Sequence, residues 1–476
     1  MRKLPIDNDY IQKTLLELLA IPSPVGLTDE VVHYTGNKLK ELGIPFELTR
    51  RGAIRATLKG ETDRPACAVV AHLDTLGANV RALKANGRLS LLPIGTWSSR
   101  FAEGARVTLF TDHGALRGTI LPLMASGHAF NEGVDTQPVS WDHIELRIDA
   151  FSESVEDLTQ LGVNVGDFVA VDPQPEITPS GYISSRHLDD KAGVAALLAA
   201  CKALKESGIS LPVHFHPMFT VTEEVGFGAS AILDERISEM VGIDIAIPAS
   251  GQNSRERGVT VAIADSSGPF DYHLTRKLIN LCKAHQIDHQ RDVFPYYFSD
   301  SAAALRAGFD IRHALIGFGA DASHGWERTH LSSLTSVAEL LTLYAQNGPV
   351  ITRDQHAIDV RCVAGVCQTP RPYGQASHHR DPIAARLVAR TWPPATVGCR
   401  HPRAPRSLGA PAGLVVLRRQ LERHAGRWLP CQRRALPATA TRQLSGHARR
   451  HYPTAASAAL PKPGLQPVAR RHRALV

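Results

Sequence analysis

The apolar run at residues 66–73, Ala-Cys-Ala-Val-Val-Ala-His-Leu, constrains the fold of this chain more than any other stretch. A run of this kind, without alternating polar side chains, indicates a strand that is buried on both faces of a sheet. Amphipathic helix patterns precede it at residues 10–20 and 28–42. Helices that alternate with such strands are typical of a three-layer α/β fold.

Two further strands are predicted before the apolar run, at residues 45–49 and 53–58. The alternation of strands and helices returns after residue 181, with predicted strands at residues 213–221, 241–247, 259–264 and 312–317. We predict further helices at residues 189–207, 229–240, 272–285, 302–307 and 332–346. Strands that alternate with helical segments of this length support the α/β assignment.

Residues 77–179 differ from both flanking parts, because short strand-like pieces alternate there with Gly, Asn and Asp turns. The pieces lie at residues 88–92, 106–110, 118–121, 144–148 and 168–171. Closely spaced short strands are typical of a small all-β module. We therefore predict an α/β domain formed by residues 1–76 and 180–350, with an all-β domain inserted at residues 77–179.

Charge divides the chain at about residue 360. Residues 361–476 contain 20 Arg and 1 Lys but only two acids, a net charge of +19, whereas residues 1–360 contain 32 basic and 44 acidic side chains, a net charge of −12. Blocks of like charge with scattered Pro favour disorder. An out-of-frame translation of GC-rich DNA also produces such a tail. We favour that origin over a basic arm for nucleic acid or a membrane surface, because the Lys clusters and interleaved aromatic residues of nucleic-acid arms are missing.

The sequence predicts a cytoplasmic protein. No stretch approaches the roughly 18 consecutive apolar residues of a membrane span. The chain begins with two basic residues, but a proline and two acids follow where a signal peptide needs apolar residues. Cys67, Cys201 and Cys282 lie in unrelated apolar contexts, which favours reduced core thiols over a disulfide framework.

Acidic and histidine side chains recur at or just past the ends of the predicted strands. His72 and Asp74 close the apolar run, and Asp74 can fix the tautomer of the imidazole. Asp189 stands where a loop meets a helix, and Asp244 ends a strand segment. Taken singly, a satisfied core histidine, a helix N-cap and a turn aspartate explain these residues at least as well.

Glu223 and Glu224 follow the strand at residues 213–221. Neighbouring residues of an extended chain point to opposite sides, so one carboxylate can hold a metal while the other handles a proton. A solvated acidic loop is the simpler interpretation of the pair alone. His324 follows the last strand in a loop, where an ordinary surface histidine is also expected.

The set becomes informative when its members are considered together. Open α/β sheets collect their ligands at the carboxyl ends of the strands, where these side chains are all predicted to lie. Two histidines, three carboxylates and one spare glutamate suit two divalent ions with an open face for water. Zinc or cobalt fits this mixed nitrogen and oxygen ligand set.

The order and spacing of these motifs resemble those of the glutamyl-aminopeptidase and deblocking-aminopeptidase family of dinuclear metallopeptidases. The resemblance covers about residues 8–347, and its segments are AHLDTLG (71–77), HLDDKAG (187–193), TVTEEVGFGA (220–229), FSDSAA (298–303), SHGWE (323–327) and the strand ending at Asp244. It implies a catalytic α/β domain interrupted by a β-barrel-like dimerisation module. The implied activity is aminopeptidase hydrolysis of short peptides, and the implied assembly is a dimer-based homo-oligomer, for which the family often builds dodecamers.

The resemblance also implies a role for each residue. His72 and Asp244 would bind one ion. Glu224 and His324 would bind the other, with Asp189 bridging the two. Asp74 would orient His72, and Glu223 would be the general base. The implied cofactors are two divalent ions per subunit, zinc or cobalt, with manganese as a further candidate.

Some segments depart from the family pattern. Residues 295–300, Pro-Tyr-Tyr-Phe-Ser-Asp, replace a Gly-rich lead-in, and Arg186, Arg328 and Gln252 add polar groups near the expected site. These features resemble a bacterial subgroup linked to the N-acetylglutaminylglutamine amide osmoprotectant system. They keep open a metal-dependent deacylase or amidase that acts on a modified dipeptide, because arginines can recognise carboxylates. A nucleic-acid-binding protein with an inactive peptidase scaffold is a third hypothesis.

Overall fold

The computed structural model describes residues 1–349, so the predicted basic tail at residues 361–476 lies outside the described residues. The helices of the described part are α1 (Asn8–Leu19), α2 (Asp29–Glu41), α3 (Gly127–Phe130), α4 (Gly133–Thr136), α5 (Val155–Gln160), α6 (Leu188–Ser207), α7 (Tyr272–Ala284), α8 (Asp300–Arg306) and α9 (Leu331–Ala345). No helix within residues 1–349 is long and apolar enough to cross a bilayer.

The strands of the described part are β1 (Phe46–Leu48), β2 (Ile54–Ala56), β3 (Thr62–His72), β4 (Gly77–Leu83), β5 (Leu89–Ile94), β6 (Arg106–Thr111), β7 (Gly114–Pro122), β8 (Ile144–Ile148), β9 (Phe168–Val171), β10 (Glu176–Ile177), β11 (Tyr182–Ser185), β12 (Val213–Thr220), β13 (Ile237–Ala246), β14 (Val259–Asp265), β15 (Gly268–Pro269), β16 (His289–Val293), β17 (Arg312–Gly319) and β18 (Glu327–His330).

The larger sheet is parallel at its centre. Its strand order is β1-β2-β12-β3-β13-β17-β14-β15, and β16 pairs with β14. β3 runs parallel to β12 on one side and to β13 on the other, and β17 runs parallel to β13. Residues 66–73 are all buried, as expected for an apolar run at the centre of such a sheet. The carboxyl ends of these four strands therefore share one edge.

The long helix α6 packs against α1, α9 and β3. Its side chains are mostly Ala, Leu and Val, and nearly all are buried, because small residues allow close approach of the neighbouring elements. The buried Lys191 amine donates to the carbonyl oxygens of Leu18 and Ile21 at 2.9 and 2.6 Å. These bonds satisfy a costly buried group and fix the start of α6, where Asp189 lies, against the end of α1.

The inserted segment forms a closed barrel with the strand order β4-β5-β8-β7-β6-β9. Its interior is filled by its own apolar side chains, among them Val80, Leu109, Leu146 and Val169. The α/β sheet and the barrel agree with the predicted fold class. The short helices α3, α4 and α5 inside the insertion are not predicted by the sequence patterns, because each spans only four to six residues. The exact domain limits and the dimerisation role stay predictions.

The prediction of a helix at residues 229–240 is wrong. A short 3-10 turn spans Gly228–Ala231, and the strand β13 already begins at Ile237. Residues 237–241 join the sheet because β13 pairs with β3 on one side and with β17 on the other. This pairing outweighs the helical propensity of the local sequence. Glu223 and Glu224 likewise lie in a 3-10 turn, Glu223–Val225, and not on an extended strand end.

The three cysteines of the described part, Cys67, Cys201 and Cys282, are free and buried. The prediction of reduced core thiols is therefore confirmed for these residues. Burial raises the pKa of the Cys282 thiol to about 12, which keeps this group protonated and unreactive.

Candidate metal centre

All seven predicted site residues gather at the carboxyl edge of the parallel strands. They come from the end of β3 (His72, Asp74), the start of α6 (Asp189), the turn after β12 (Glu223, Glu224), β13 (Asp244) and the loop between β17 and β18 (His324). This edge is where parallel sheets collect functional groups, because the strand ends and the connections that follow them meet there.

Asp189 lies between the two histidines. Its Oδ1 atom is 3.0 Å from Nε2 of His72, and its Oδ2 atom is 3.3 Å from Nε2 of His324. The residue is only 5% exposed. A carboxylate that turns one oxygen to each of two imidazoles has the geometry of a ligand shared between two cations.

Two overlapping groups of ligand atoms complete the centre. The possible ligand atoms of His72, Asp189 and Glu224 all lie within 4.8 Å of one another, and so do those of His72, Glu223 and Asp244. Nε2 of His324 is also 3.6 Å from Oε2 of Glu224. Imidazole nitrogens and carboxylate oxygens at such spacing fit divalent transition metals.

Asp74 holds the turn that carries the two glutamates. Its carboxylate oxygens accept hydrogen bonds from the backbone N–H groups of Glu223 and Glu224 at 3.2 and 3.1 Å. Nδ1 of His72 lies 2.9 Å from the main-chain carbonyl oxygen of Asp74 and 3.8 Å from its carboxylate. The expected contact between the two residues is therefore made by the carbonyl, which leaves Nε2 facing the site.

Glu327 is a site residue that the sequence analysis did not single out. It is 1% exposed, and its two carboxylate oxygens accept hydrogen bonds from the backbone N–H groups of Asp189 and His324 at 3.1 and 3.0 Å. One side chain thus holds the backbone of two candidate ligands. The available signal was an acid three residues after a candidate ligand histidine in the segment SHGWE.

The barrel also contacts the centre. Nδ1 of His324 lies 2.8 Å from the carbonyl oxygen of Thr96, in the loop that follows β5. A carbonyl at this distance accepts the Nδ1 proton and leaves Nε2 free as a ligand. The inserted domain therefore fixes the orientation of one histidine of the α/β domain.

The electrostatics of the centre favour bound cations. Burial raises the pKa of the Glu224 carboxyl to about 8 and that of the Asp244 carboxyl to about 7, and the charge of Asp189 adds to both shifts. Burial alone would lower the pKa of His324, but its hydrogen bond to Asp189 raises that pKa to about 10. More carboxylates are crowded here than two imidazoles can neutralise, so divalent cations would relieve the excess negative charge.

A cavity of about 760 Å³ opens above the centre. Its lining includes five of the seven predicted residues, namely Asp189, Glu223, Glu224, Asp244 and His324. His72 and Asp74 lie beneath them and are 1% and 0% exposed.

The three polar residues expected near the site do not line this cavity. Arg328 pairs with Glu256, Gln252 donates to a carbonyl of β16, and Arg186 donates to the carbonyl of Phe101 at 2.7 Å. None of the three therefore contributes a cationic or amide group to the lining of this cavity.

Comparison with known proteins identifies the family. The sequence profile of the M42 glutamyl aminopeptidases matches residues 52–340. This chain belongs to the M42 glutamyl aminopeptidase family. A Bacillus subtilis (strain 168) protein named "Putative aminopeptidase YhfE" is 40% identical over 332 residues, which are 70% of this chain and 96% of that protein. This M42 member is accordingly a peptide-bond hydrolase of the aminopeptidase type.

Solved structures agree with this M42 fold. A TET aminopeptidase from the marine sediment archaeon Thaumarchaeota archaeon SCGC AB-539-E09 superposes with a TM-score of 0.66 at 20% identity, covering 72% of this chain and 97% of that one. The Pyrococcus horikoshii TET1 peptidase superposes with a TM-score of 0.63 at 23% identity, covering 70% of this chain and 99% of that one. That peptidase can assemble into a tetrahedron or a large octahedral shell. The three-layer fold with an inserted barrel is thereby confirmed.

Proposed function

We propose that this chain removes N-terminal residues from short peptides with the help of two divalent metal ions. The observation that best supports this proposal is the carboxylate of Asp189, which turns one oxygen to His72 and the other to His324. A shared carboxylate between two imidazole–carboxylate pairs suits a dinuclear centre better than a single ion.

The proposed assignment, which follows the family resemblance, divides the ligands on the two sides of Asp189. His72 and Asp244 would hold one ion, and Glu224 and His324 would hold the other. Zinc or cobalt suits these donors, with manganese as a further candidate. When bound, such ions supply Lewis-acid activation of a water molecule and of the scissile carbonyl.

Glu223 is the residue that would move the proton. Its side chain is 12% exposed, against 4% for Glu224, and it lines the cavity where a substrate lies. Its Oε2 atom is 3.9 Å from Nε2 of His72, farther than the 3.0 Å between that nitrogen and Asp189. The Glu223 carboxylate is therefore near the centre but is not the acid closest to His72. A buried carboxylate at this position can accept a proton from water and pass it to the leaving amine.

The acidic floor of the cavity favours substrates with a free N-terminal amine. Asp189, Glu223, Glu224 and Asp244 line it, and the free amine nitrogen of a substrate would take an open ligand position on an ion that these acids hold. An N-acetylated peptide lacks this group. This contrast supports aminopeptidase action over the deacylase alternative.

A metal titration combined with matched substrates tests the proposal. Chelator-treated protein is expected to lose activity and to bind two equivalents of zinc, cobalt or manganese in a calorimetric titration, with activity restored in parallel. The restored enzyme is expected to hydrolyse a free dipeptide and to leave its N-acetyl derivative intact. A stoichiometry of one ion, or faster hydrolysis of the acetylated dipeptide, contradicts the proposal.

A dimer-based homo-oligomer is proposed as the working assembly. The assembly of the Pyrococcus horikoshii TET1 peptidase into a tetrahedron or a large octahedral shell supports this proposal. Light scattering of the purified chain tests it, and a monomer at micromolar concentration contradicts it. The cytoplasmic location predicted from the sequence stays a prediction.

A further inference from the structure

The cavity above the metal centre has walls that differ in character from its floor. The floor consists of the ionisable groups that the proposed metal centre uses. The walls are aromatic and aliphatic, and their largest members are Trp97, Phe101, Tyr296, Tyr297 and Phe298. The remaining polar wall groups are neutral, chiefly the hydroxyls of serine residues.

No lysine or arginine within residues 1–349 lines this cavity. Two arginines contact aromatic residues of the site region. Arg186 lies 5.5 Å from the ring of Trp326 and donates to the carbonyl of Phe101, and Arg306 lies 4.0 Å from the ring of Phe298. Neither lines this cavity; Arg186 lines a separate small cavity of about 10 Å³, which shares Trp97 and His324 with it. A carboxylate side chain in the cavity would therefore lose water without gaining a cationic partner from the walls.

The walls are held in place by hydrogen bonds and ring contacts. The Tyr297 hydroxyl donates to the carbonyl of Ile245 at 2.7 Å, and its ring lies 5.0 Å from that of Phe294. The Trp97 indole donates to the carbonyl of Gly77 at 3.1 Å and packs edge-on against Trp141. Anchored aromatic walls select by shape and by apolar contact, because they lose little freedom when a ligand binds.

We infer that this cavity accepts an uncharged, apolar or aromatic N-terminal side chain, and not the glutamyl side chain for which the family is named. The inference rests on the proposed function, since the residue next to the scissile bond must lie against these walls if the floor binds the metals. A lysyl side chain fares no better, because the acids that could pair with it line the floor and hold the ions.

The first test compares substrates that differ only in the N-terminal residue. Metal-restored full-length chain is assayed with the 7-amido-4-methylcoumarin derivatives of leucine, phenylalanine, glutamate and lysine. The expected kcat/KM for leucine or phenylalanine exceeds that for glutamate or lysine by about 100-fold, the order that a mismatched pocket produces. A glutamyl or lysyl derivative that equals the leucyl derivative overturns the inference.

Binding separates this inference from the proposed reaction. Calorimetry with leucine, glutamate and lysine hydroxamates measures selectivity without turnover. Tighter binding of the leucine compound supports the inference even if no derivative is hydrolysed, in which case the proposed reaction alone fails. Hydrolysis with a glutamyl preference overturns the inference and leaves the proposed reaction standing.

Ser266 is a position at which a positive or a negative charge can be introduced in matched variants. It is exposed and lines the cavity. Among residues 1–349 its one hydrogen bond runs from its backbone N–H to the carbonyl of Tyr297. Ser266→Arg is expected to raise the ratio of glutamyl to leucyl turnover by about tenfold, and Ser266→Glu is expected to raise the lysyl ratio similarly. Ser266→Gln, which adds length without charge, should leave both ratios unchanged. Ratios that follow length and not charge overturn the inference.

Discussion

At the scale of single residues, several members of the centre donate backbone hydrogen bonds to the carboxylates of other acids. Asp74 holds the turn of Glu223 and Glu224, and Glu327 holds the backbone of Asp189 and His324. The backbone positions of these four residues are thereby fixed. Catalytic precision of this kind depends on supporting hydrogen bonds as much as on the ligands.

Replacing Glu223 by Gln should separate proton transfer from metal binding. The amide keeps the size of the side chain but cannot accept the proton, so kcat should fall by about 10²- to 10⁴-fold. Elemental analysis should still find two ions per chain. Glu224→Gln is the matched control, because it alters a proposed ligand and should lower the metal content. A Glu223→Gln variant that keeps most of its rate contradicts the general-base role.

Glu327 offers a test of a residue that acts through its neighbours. Glu327→Ala removes both acceptors and should weaken metal affinity by about 100-fold, whereas Glu327→Gln keeps one acceptor oxygen and should lose about tenfold. Competition with a chelating dye measures both values. Equal affinity in the alanine variant and the native chain would show that Asp189 and His324 hold their positions without this carboxylate.

The candidate ligands could be predicted from the sequence, but their support could not. His72, Asp189, Asp244 and His324 stand at predicted strand or loop boundaries, and sheet topology brings such boundaries together. The partners of Glu327 are a backbone N–H 138 residues away and one in the loop just before β18. Contacts of that kind depend on the folded path of loops, for which the sequence has no periodic signal.

At the scale of elements, the barrel and the α/β sheet meet at the metal centre. The loop after β5 brings the Thr96 carbonyl to His324, and Gly95 makes this approach possible. The φ angle of Gly95 is +80°, and a Cβ atom there would lie 2.5 Å from Leu76 and 3.4 Å from the carbonyl oxygen of Glu224. A side chain at this position would push the loop away from the centre.

Gly95→Ala is therefore expected to weaken the His324 side of the centre. The loss in affinity for one of the two ions should be about tenfold, the order seen when a supporting hydrogen bond is removed. Gly104→Ala is the control, since its φ angle is +78° but a Cβ atom would have no neighbour within 4 Å. Both variants carry the same backbone strain, so only a contact effect distinguishes them in the calorimetric titration. Equal metal affinity of the two variants contradicts this contribution of the barrel.

Element prediction failed where pairing overrode local preference. The buried parts of β3 and β12 are predicted nearly in full, because their apolar runs are long, whereas β15 and β16 of the same sheet are not predicted. The helix expected at residues 229–240 was displaced by β13, whose first residues pair on both sides. The strands β11 and β18 were not predicted, because they pair across more than 140 residues and only four residues form each.

At the scale of the whole molecule, the family match and the candidate site residues lie within the described part. The centre and its cavity use residues within 1–349, and the family match ends at residue 340. Deleting residues 361–476 is expected to leave kcat/KM within about twofold of the full chain, a change below about 0.5 kcal/mol. Steady-state assays of both forms at equal metal content check this, and a tenfold loss contradicts it.

Sequencing the coding DNA tests the out-of-frame origin of the tail.

The position of β3 at the centre of the sheet has a consequence for biosynthesis. Its neighbours β12 and β13 lie beyond the barrel in the chain, so the apolar run of β3 leaves the ribosome long before either partner exists. Roughly 140 residues of further elongation separate β3 from β12, a delay of about 7–28 s at ordinary translation rates. The barrel strands are complete within that delay. Nascent chains therefore pass through a stage at which all barrel strands have been synthesised but β3 has neither neighbour, and a chaperone then has a defined apolar segment to shield.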